Sequence, residues 1–162
     1  MITPDDFRNV LAHFASGVTI VTTCDAAQHP TGLTCSAFAS VSLDPPLVMV
    51  CVDHKAQCFP ALRDGGRFAV NILRADQEAV SRRFATSKIA DKFDGVPHRI
   101  SDMGLPLVED ALAHLECLTV GTHVEGDHTI FIGRVERAGA PGGEPLLYFR
   151  GRYERLSSNP GA

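Results

Sequence analysis

Apolar and polar positions follow two different periods along this chain, and the changes between them mark its elements. Phe7, Val10, Leu11 and Phe14 recur at helical spacing, which gathers apolar groups on one helix face. Ahead of them, Thr3 suits the N-cap and Pro4 the first helical position, while Asp5 and Asp6 favour the positive end of the helix dipole. The pattern predicts a helix stopped near Gly17, with its stripe packed into the core. From Val18 the period changes. Val18–Thr23 is β-branched throughout and reads as a strand. A polar turn over Asp25–Pro30 leads to a second strand, Leu33–Val41, rich in small and hydroxylated residues. Asp44-Pro45-Pro46 breaks the chain before a third strand, Leu47–Val52, and Gly65-Gly66 turns it into a fourth, Arg67–Leu73. Asp76–Phe84 reads as helix, with Ala79, Val80 and Phe84 on one side. Ala85–Pro106 is polar and irregular, the signature of a long functional loop or of an excursion over the surface. Leu112–Val124 and His128–Arg137 flank Glu125-Gly126-Asp127 as a hairpin, and Leu146–Leu156 is a last strand.

Strands dominate, and those of the hairpin are apolar on more than one face. That pattern favours a mainly β fold, an antiparallel barrel with a filled interior and appended helices. No linker or internal repeat divides the chain, so one domain is expected over residues 1–162. At this length roughly 70% of the unfolded chain's surface is buried on folding, so the core needs no metal or disulfide staple. The length also excludes a full Rossmann domain joined to a separate substrate domain.

Composition narrows the function classes. Lys plus Arg is 15 and Asp plus Glu 19, a net charge of −4, which argues against nucleic acid as the main partner. The short basic cluster Arg150, Arg152 and Arg155 is interrupted by Glu154 and reads as a solvated strand face. Five cysteines (Cys24, Cys35, Cys51, Cys58, Cys117) form no C-x-x-C pair. An odd count among apolar neighbours reads as buried free thiols in a reducing compartment. No signal-peptide pattern and no apolar run near 18 residues is present, so the expectation is a soluble cytoplasmic protein without membrane contact.

The familiar catalytic signatures are missing. The chain has neither G-x-x-x-x-G-K-[ST] nor G-x-G-x-x-G, no G-x-S-x-G elbow and no H-E-x-x-H helix. His114-Leu115-Glu116 resembles the H-x-E of zinc deaminases, but the P-C-x-x-C partner is absent, and no metal site is expected. What remains is a run of small polar residues, Thr34-Cys35-Ser36-Ala37 and then Ser40, along which a backbone can approach a ligand closely. Packing in a tight barrel explains the same run, and taken by itself that is the preferred reading. Lys55, just past the third strand, is a candidate anion contact or an ordinary surface lysine.

Two segments, TGLTCSAFASVSLDPPLVMVCVDHKA (Thr31–Ala56) and GDHTIFIGRV (Gly126–Val135), together resemble the flavin reductase-like family. FRNVLAHFASGVTIVTT, RFAVNIL and LPLVEDALAHLEC agree in the same order, so the resemblance runs from about Phe7 to Leu156. It implies an FMN-binding split β-barrel that forms a homodimer and reduces FMN or FAD with NADH or NADPH, supplying reduced flavin to a partner monooxygenase. Carried over, the flavin contacts fall on Thr34, Cys35, Ser36, Ala37 and Ser40, on Val52, Asp53, Lys55 and Ala56, and on Arg83, Phe84 and Lys88. His128 and Tyr153 match positions associated with the nicotinamide nucleotide. Cys35 departs from the alanine that relatives often carry and would set a thiol near a redox centre. No side-chain catalyst is implied, because hydride transfer belongs to the cofactors and the protein's task is stacking and distance. Two other readings of the same fold are a flavin carrier without fast NAD(P)H turnover and an oxidase of the pyridoxamine-phosphate type. The GDH motif favours the reductase.

Overall fold

The computed structural model describes residues 1–157; the last five residues of the expected 1–162 domain lie outside the described residues. In chain order the elements are α1 (Pro4–Leu11), β1 (Ser16–Gly17), β2 (Thr19–Cys24), β3 (Pro30–Cys35), β4 (Phe38–Leu43), β5 (Pro46–Asp53), α2 (Phe59–Gly65), β6 (Arg67–Ile72), α3 (Glu78–Ala85), β7 (His98–Ile100), β8 (Pro106–Val108), β9 (Ala113–Glu125), β10 (His128–Gly139), β11 (Leu147–Phe149) and β12 (Arg152–Glu154).

The architecture is mainly β, as the sequence predicts, with three appended helices among the described residues. One seven-stranded antiparallel sheet runs in the order β3-β2-β6-β9-β10-β5-β4. Its two edge strands, β3 and β4, are consecutive in sequence and meet at Ser36–Ala37. Along β5 burial alternates, with Val48, Val50 and Val52 inside and Leu47, Met49 and Cys51 outside, the period-two signature of a sheet with one covered face. A single apolar cluster draws Val21, Cys35, Val50, Phe68, Cys117 and Phe131 from six of the seven strands, so the sheet curls around it. Leu62 of α2 plugs this core. Gly133 lets the walls close, because a Cβ there would stand 2.5 Å from Phe68 and 2.8 Å from Cys117. A second cluster outside β2 joins Val18, Ile20, Phe84, Phe93 and Leu146.

Several local expectations change. A capping box starts α1, with Asp6 N donating to Thr3 Oγ1 at 3.1 Å and Thr3 N to Asp6 Oδ2 at 3.2 Å. Its apolar stripe is not in the core, however: Phe7 is 54% exposed, Val10 66% and Phe14 80%. The helix ends at Leu11 with Ala12 as C-cap, and Gly17 lies in β1 rather than stopping it. The expected strand Leu33–Val41 is two strands with a corner between them. The expected strand Leu146–Leu156 is the hairpin β11–β12, turned by Arg150 (φ 50°) and Gly151 (φ 77°). The long loop after α3 contains the small hairpin β7–β8. Helix α2 is unanticipated; Gly66, read as part of a turn, is its left-handed C-cap at φ 66°. Of the thiols expected to be buried, the structure buries Cys35, Cys58 and Cys117 and leaves Cys24 and Cys51 half-buried.

Candidate functional site

The corner between β3 and β4 is where the site begins. Thr34 is anchored to α3 by its hydroxyl, which donates to the Ser81 carbonyl at 2.6 Å. Ala37 accepts from Cys51 N at 3.0 Å, which ties the corner to β5. Between these ties, Ser36 and Ala37 are exposed, and among the described residues their amides donate to no protein group. Two adjacent free N–H groups flanked by small side chains suit the polar edge of a planar ligand.

The end of β5 and the start of β10 lie beside this corner. Asp53 pairs with His128 across the ladder. The turn after Asp53 is closed by Ala56 N donating to the Asp53 carbonyl at 3.0 Å, and Asp53 Oδ1 accepts from Lys55 N at 2.8 Å. His54 N donates to the Asp127 carbonyl at 3.0 Å, which joins that turn to the β9–β10 turn. His128 Nδ1 lies 2.7 Å from Asp127 Oδ1, and this contact holds the Asp127 carboxyl below the usual carboxylate range. The imidazole is fixed in orientation, and Nε2 has no protein partner among the described residues.

A third wall comes from α3 and the segment after it. Gln57 Nε2 donates to the Ser87 carbonyl at 3.0 Å, so the Lys55 turn and the Lys88 segment form one rim. The chain has three lysines. Lys92 is buried, and its ammonium donates to the carbonyls of Phe84 at 3.0 Å and Gly32 at 3.5 Å. Lys55 and Lys88 are exposed, and neither ammonium has a protein partner among the described residues. They are the cations available to an anion such as a phosphate. Arg83 is not available in the same way. Its guanidinium donates to the Lys92 carbonyl at 2.8 Å and the Asp91 carbonyl at 3.0 Å, holding the loop after α3.

The β11–β12 hairpin supplies the last wall. Tyr153 shares a 2.8 Å hydrogen bond with Ser81 Oγ, its ring stacks edge-on to Tyr148 at 5.3 Å, and Arg82 lies 4.7 Å from its centroid. Thr34, Ser36, Ser81 and both tyrosines line a cleft of about 240 Å3. A second cavity of about 410 Å3 shares Ala85, Tyr148 and Tyr153 with it and adds Arg82 and Thr86. A cavity of about 490 Å3 between α2 and the β2–β3 turn is larger, but holds none of the predicted residues.

The structure thus gathers Thr34, Ser36, Ala37, Asp53, Lys55, Ala56, Lys88, His128 and Tyr153 around one end of the sheet. Ser40 lies further along the exposed edge of β4, opposite Val48. Cys35, Val52 and Phe84 are 5%, 0% and 1% exposed and have their side chains in the core, so only their main chains can face a ligand. The Cys35 thiol donates to the carbonyls of Ala37 at 3.6 Å and Cys51 at 3.5 Å rather than facing the cleft. Sequence reasoning missed Tyr148, Ser81 and Gln57. The chain's scarcity of tyrosine, two residues five apart, was a usable signal for Tyr148. Ser81 and Gln57 carried none.

Isoalloxazine and its phosphate fit this donor set: free amides and small side chains at the corner, two free ammonium groups on the rim, and an aromatic flank. Among the described residues no cluster of His, Cys, Asp or Glu suits a metal ion.

Comparison with known proteins places the chain's relatives among flavin reductases. Residues 11–157 match the family model described as flavin reductase like domain. The chain is 43% identical over 158 residues to an NADH-dependent flavin reductase from Rhodococcus, covering 96% of this chain and 88% of that protein. It is 41% identical over 155 residues to the reductase subunit of a flavin-dependent monooxygenase from Mycobacterium tuberculosis, covering 94% and 82%. Among solved structures, the NADH:FAD oxidoreductase of Streptomyces globisporus C-1027, in complex with NAD and FAD fragments, superposes with a TM-score of 0.90 at 39% identity, covering 99% of this chain and 98% of that one.

Proposed function

This chain belongs to the flavin reductase-like family, and from that membership we propose that it is an NAD(P)H:flavin oxidoreductase. It moves a hydride from nicotinamide C4 to N5 of FMN or FAD and supplies reduced flavin to a partner monooxygenase. The observation that carries this reading at the level of residues is the convergence of free amides at Ser36–Ala37, free cations at Lys55 and Lys88, and the oriented His128 on one sheet end.

The flavin, when bound, supplies the hydride acceptor. The chain's own residues bind and orient. Ser36 and Ala37 donate their amides to the ring's polar edge, with Thr34, Cys35, Val52, Asp53 and Ala56 contributing main chain or walls. Lys55 and Lys88 hold the phosphate, where charge-assisted bonds are stronger than neutral ones. Arg83 and Phe84 act one step back, by fixing the segment that carries Lys88. His128 Nε2 and the Tyr153 ring position the nicotinamide, for which a reacting distance of about 3–3.5 Å is the requirement. No proton transfer by a side chain is needed.

A homodimer is part of the same proposal. On the outer face of the sheet Met49 stands opposite both Ile132 and Ala39, and Cys51 opposite Ile130. This apolar band, together with the uncovered stripe of α1, supports a second copy as its cover. No helix among the described residues is long and apolar enough to cross a membrane. Five free cysteines and the need for NAD(P)H support a cytoplasmic setting.

Steady-state oxidation of NADH and NADPH, each with FMN and FAD, tests the assignment. Catalytic bleaching of nicotinamide absorbance in at least one pairing is expected. Stoichiometric flavin binding with negligible rates in all four would establish the carrier instead.

A further inference from the structure

A further cavity of about 400 Å3 opens at one end of the curled sheet, on the face opposite the apolar outer band. It is lined by His54, Phe59 and Arg63 on one side and by Thr122, Val124, Thr129 and Phe131 on the other. Phe131 is fully buried at its floor. Phe59 meets Phe131 edge-on at 6.1 Å, and the His54 ring is tilted against Phe59 at 4.9 Å. The walls are therefore aromatic and aliphatic, and Val124 at the rim is 70% exposed. A cavity of about 150 Å3 already admits benzene, so a substituted single ring fits with room to spare.

Charge and hydrogen bonding define the ligand further. The Arg63 guanidinium is paired with both oxygens of Asp64, at 2.7 and 2.9 Å, so the charge beside the cavity is balanced and favours a neutral occupant over a carboxylate. His54 shares a 3.0 Å hydrogen bond with Thr129 Oγ1 through Nε2, while Nδ1 has no protein partner among the described residues. We propose that this cavity is a binding site for a neutral single-ring phenol, with the ring between Phe59, Phe131 and Val124 and the hydroxyl on His54.

The site is linked to the flavin rim. His54 lies between Asp53 and Lys55 and donates its amide to the Asp127 carbonyl, beside His128. An occupant that shifts His54 alters the affinity of the rim for its anion, and linkage makes the effect reciprocal. This second step rests on the flavin reading; the binding step does not.

Titration calorimetry on the flavin-free and NADH-free protein separates the two, with phenol and toluene as probes. Phenol is expected to bind saturably and about fivefold more tightly than toluene, the ratio one neutral hydrogen bond provides. In His54→Phe the preference disappears while toluene binding remains. In Val124→Trp, where the exposed position keeps the fold intact by circular dichroism, both probes lose binding. Absence of saturable phenol binding in the millimolar range, or binding unchanged in Val124→Trp, overturns the proposal. A phenol-dependent shift in flavin Kd then reports the coupling, and its absence with phenol bound overturns the linkage alone.

Discussion

At the scale of single residues, the site separates groups that touch a ligand from groups that hold others in place. On the proposed reading His128 is of the first kind: Asp127 fixes Nδ1, and Nε2 has no protein partner among the described residues. His128→Ala should raise the NADH KM about tenfold with kcat nearly unchanged, the mark of lost ground-state binding, and with an unaltered melting temperature. Unchanged kinetics would remove His128 from the site. The cysteines behave differently. Burial pushes Cys35 and Cys58 up to about 11 and Cys117 up to about 12. A raised thiol pKa means that the folded state keeps a proton which the unfolded chain releases above about pH 8.5. Their contribution is complete below that pH and is lost as pH climbs through 11 to 12. Urea midpoints should therefore be flat near neutrality and fall above about pH 9, and Cys117→Ala should shallow that fall. An alkaline limb of the same slope in the variant would contradict this account. Free cysteines were legible from their odd number and spacing; that Cys35 turns its thiol inward was not, because strand register decides which face a side chain takes.

Individual elements were legible wherever local preference and tertiary role agree. β2 announces itself by a β-branched run, and the β9–β10 hairpin by Glu125-Gly126-Asp127 between two apolar stretches. The failures share one cause. Helix α1 was readable to its capping box, yet an amphipathic pattern states only that a face is apolar and not what covers it. The Ser36–Ala37 corner was invisible because small residues suit a strand and a bend equally, and the choice is made by the distant Cys51 amide. α2 was hidden because Gly65-Gly66 signals a turn as well as a cap. The rim is the element-level feature with the clearest test. Gln57 and Ser87 tie the segment after β5 to that after α3, so in the proposed site Lys55 and Lys88 would act on the same anion. Lys55→Ala and Lys88→Ala should each raise the KM for FMN about tenfold, the worth of one charge-assisted hydrogen bond. Riboflavin, which lacks the phosphate, should be reduced at wild-type efficiency by both. Equal losses with riboflavin would place these lysines elsewhere in the cycle.

Over the whole molecule, the sheet carries two apolar faces; one chain covers the inner one, and covers the outer one over β2 and β6 while leaving it half-buried over β5 and β10. The outer band of Met49, Cys51, Ile130 and Ile132 runs toward Asp53 and His128, so a partner seated on it would border the cleft. Ile132→Glu should yield a monomer by light scattering and weaken flavin binding at the same time. A persistent dimer with unaltered flavin Kd would detach the band from the site. Family membership was legible because its motifs sit at strand ends, where sequence is dictated by the ligand as well as by packing. The cover over the outer face was not legible, since a single chain's pattern does not distinguish its own core from an interface.

The distribution of lysines has a practical consequence. One of the three is sealed in the interior, and positive charge elsewhere is carried by arginine, which ordinary amine reagents leave alone. Succinimide esters therefore find, apart from the α-amino group, only the two lysines on the flavin rim. Random amine coupling to a resin or dye is in this protein directed chemistry against its proposed site, and bound flavin is the reagent that should protect it.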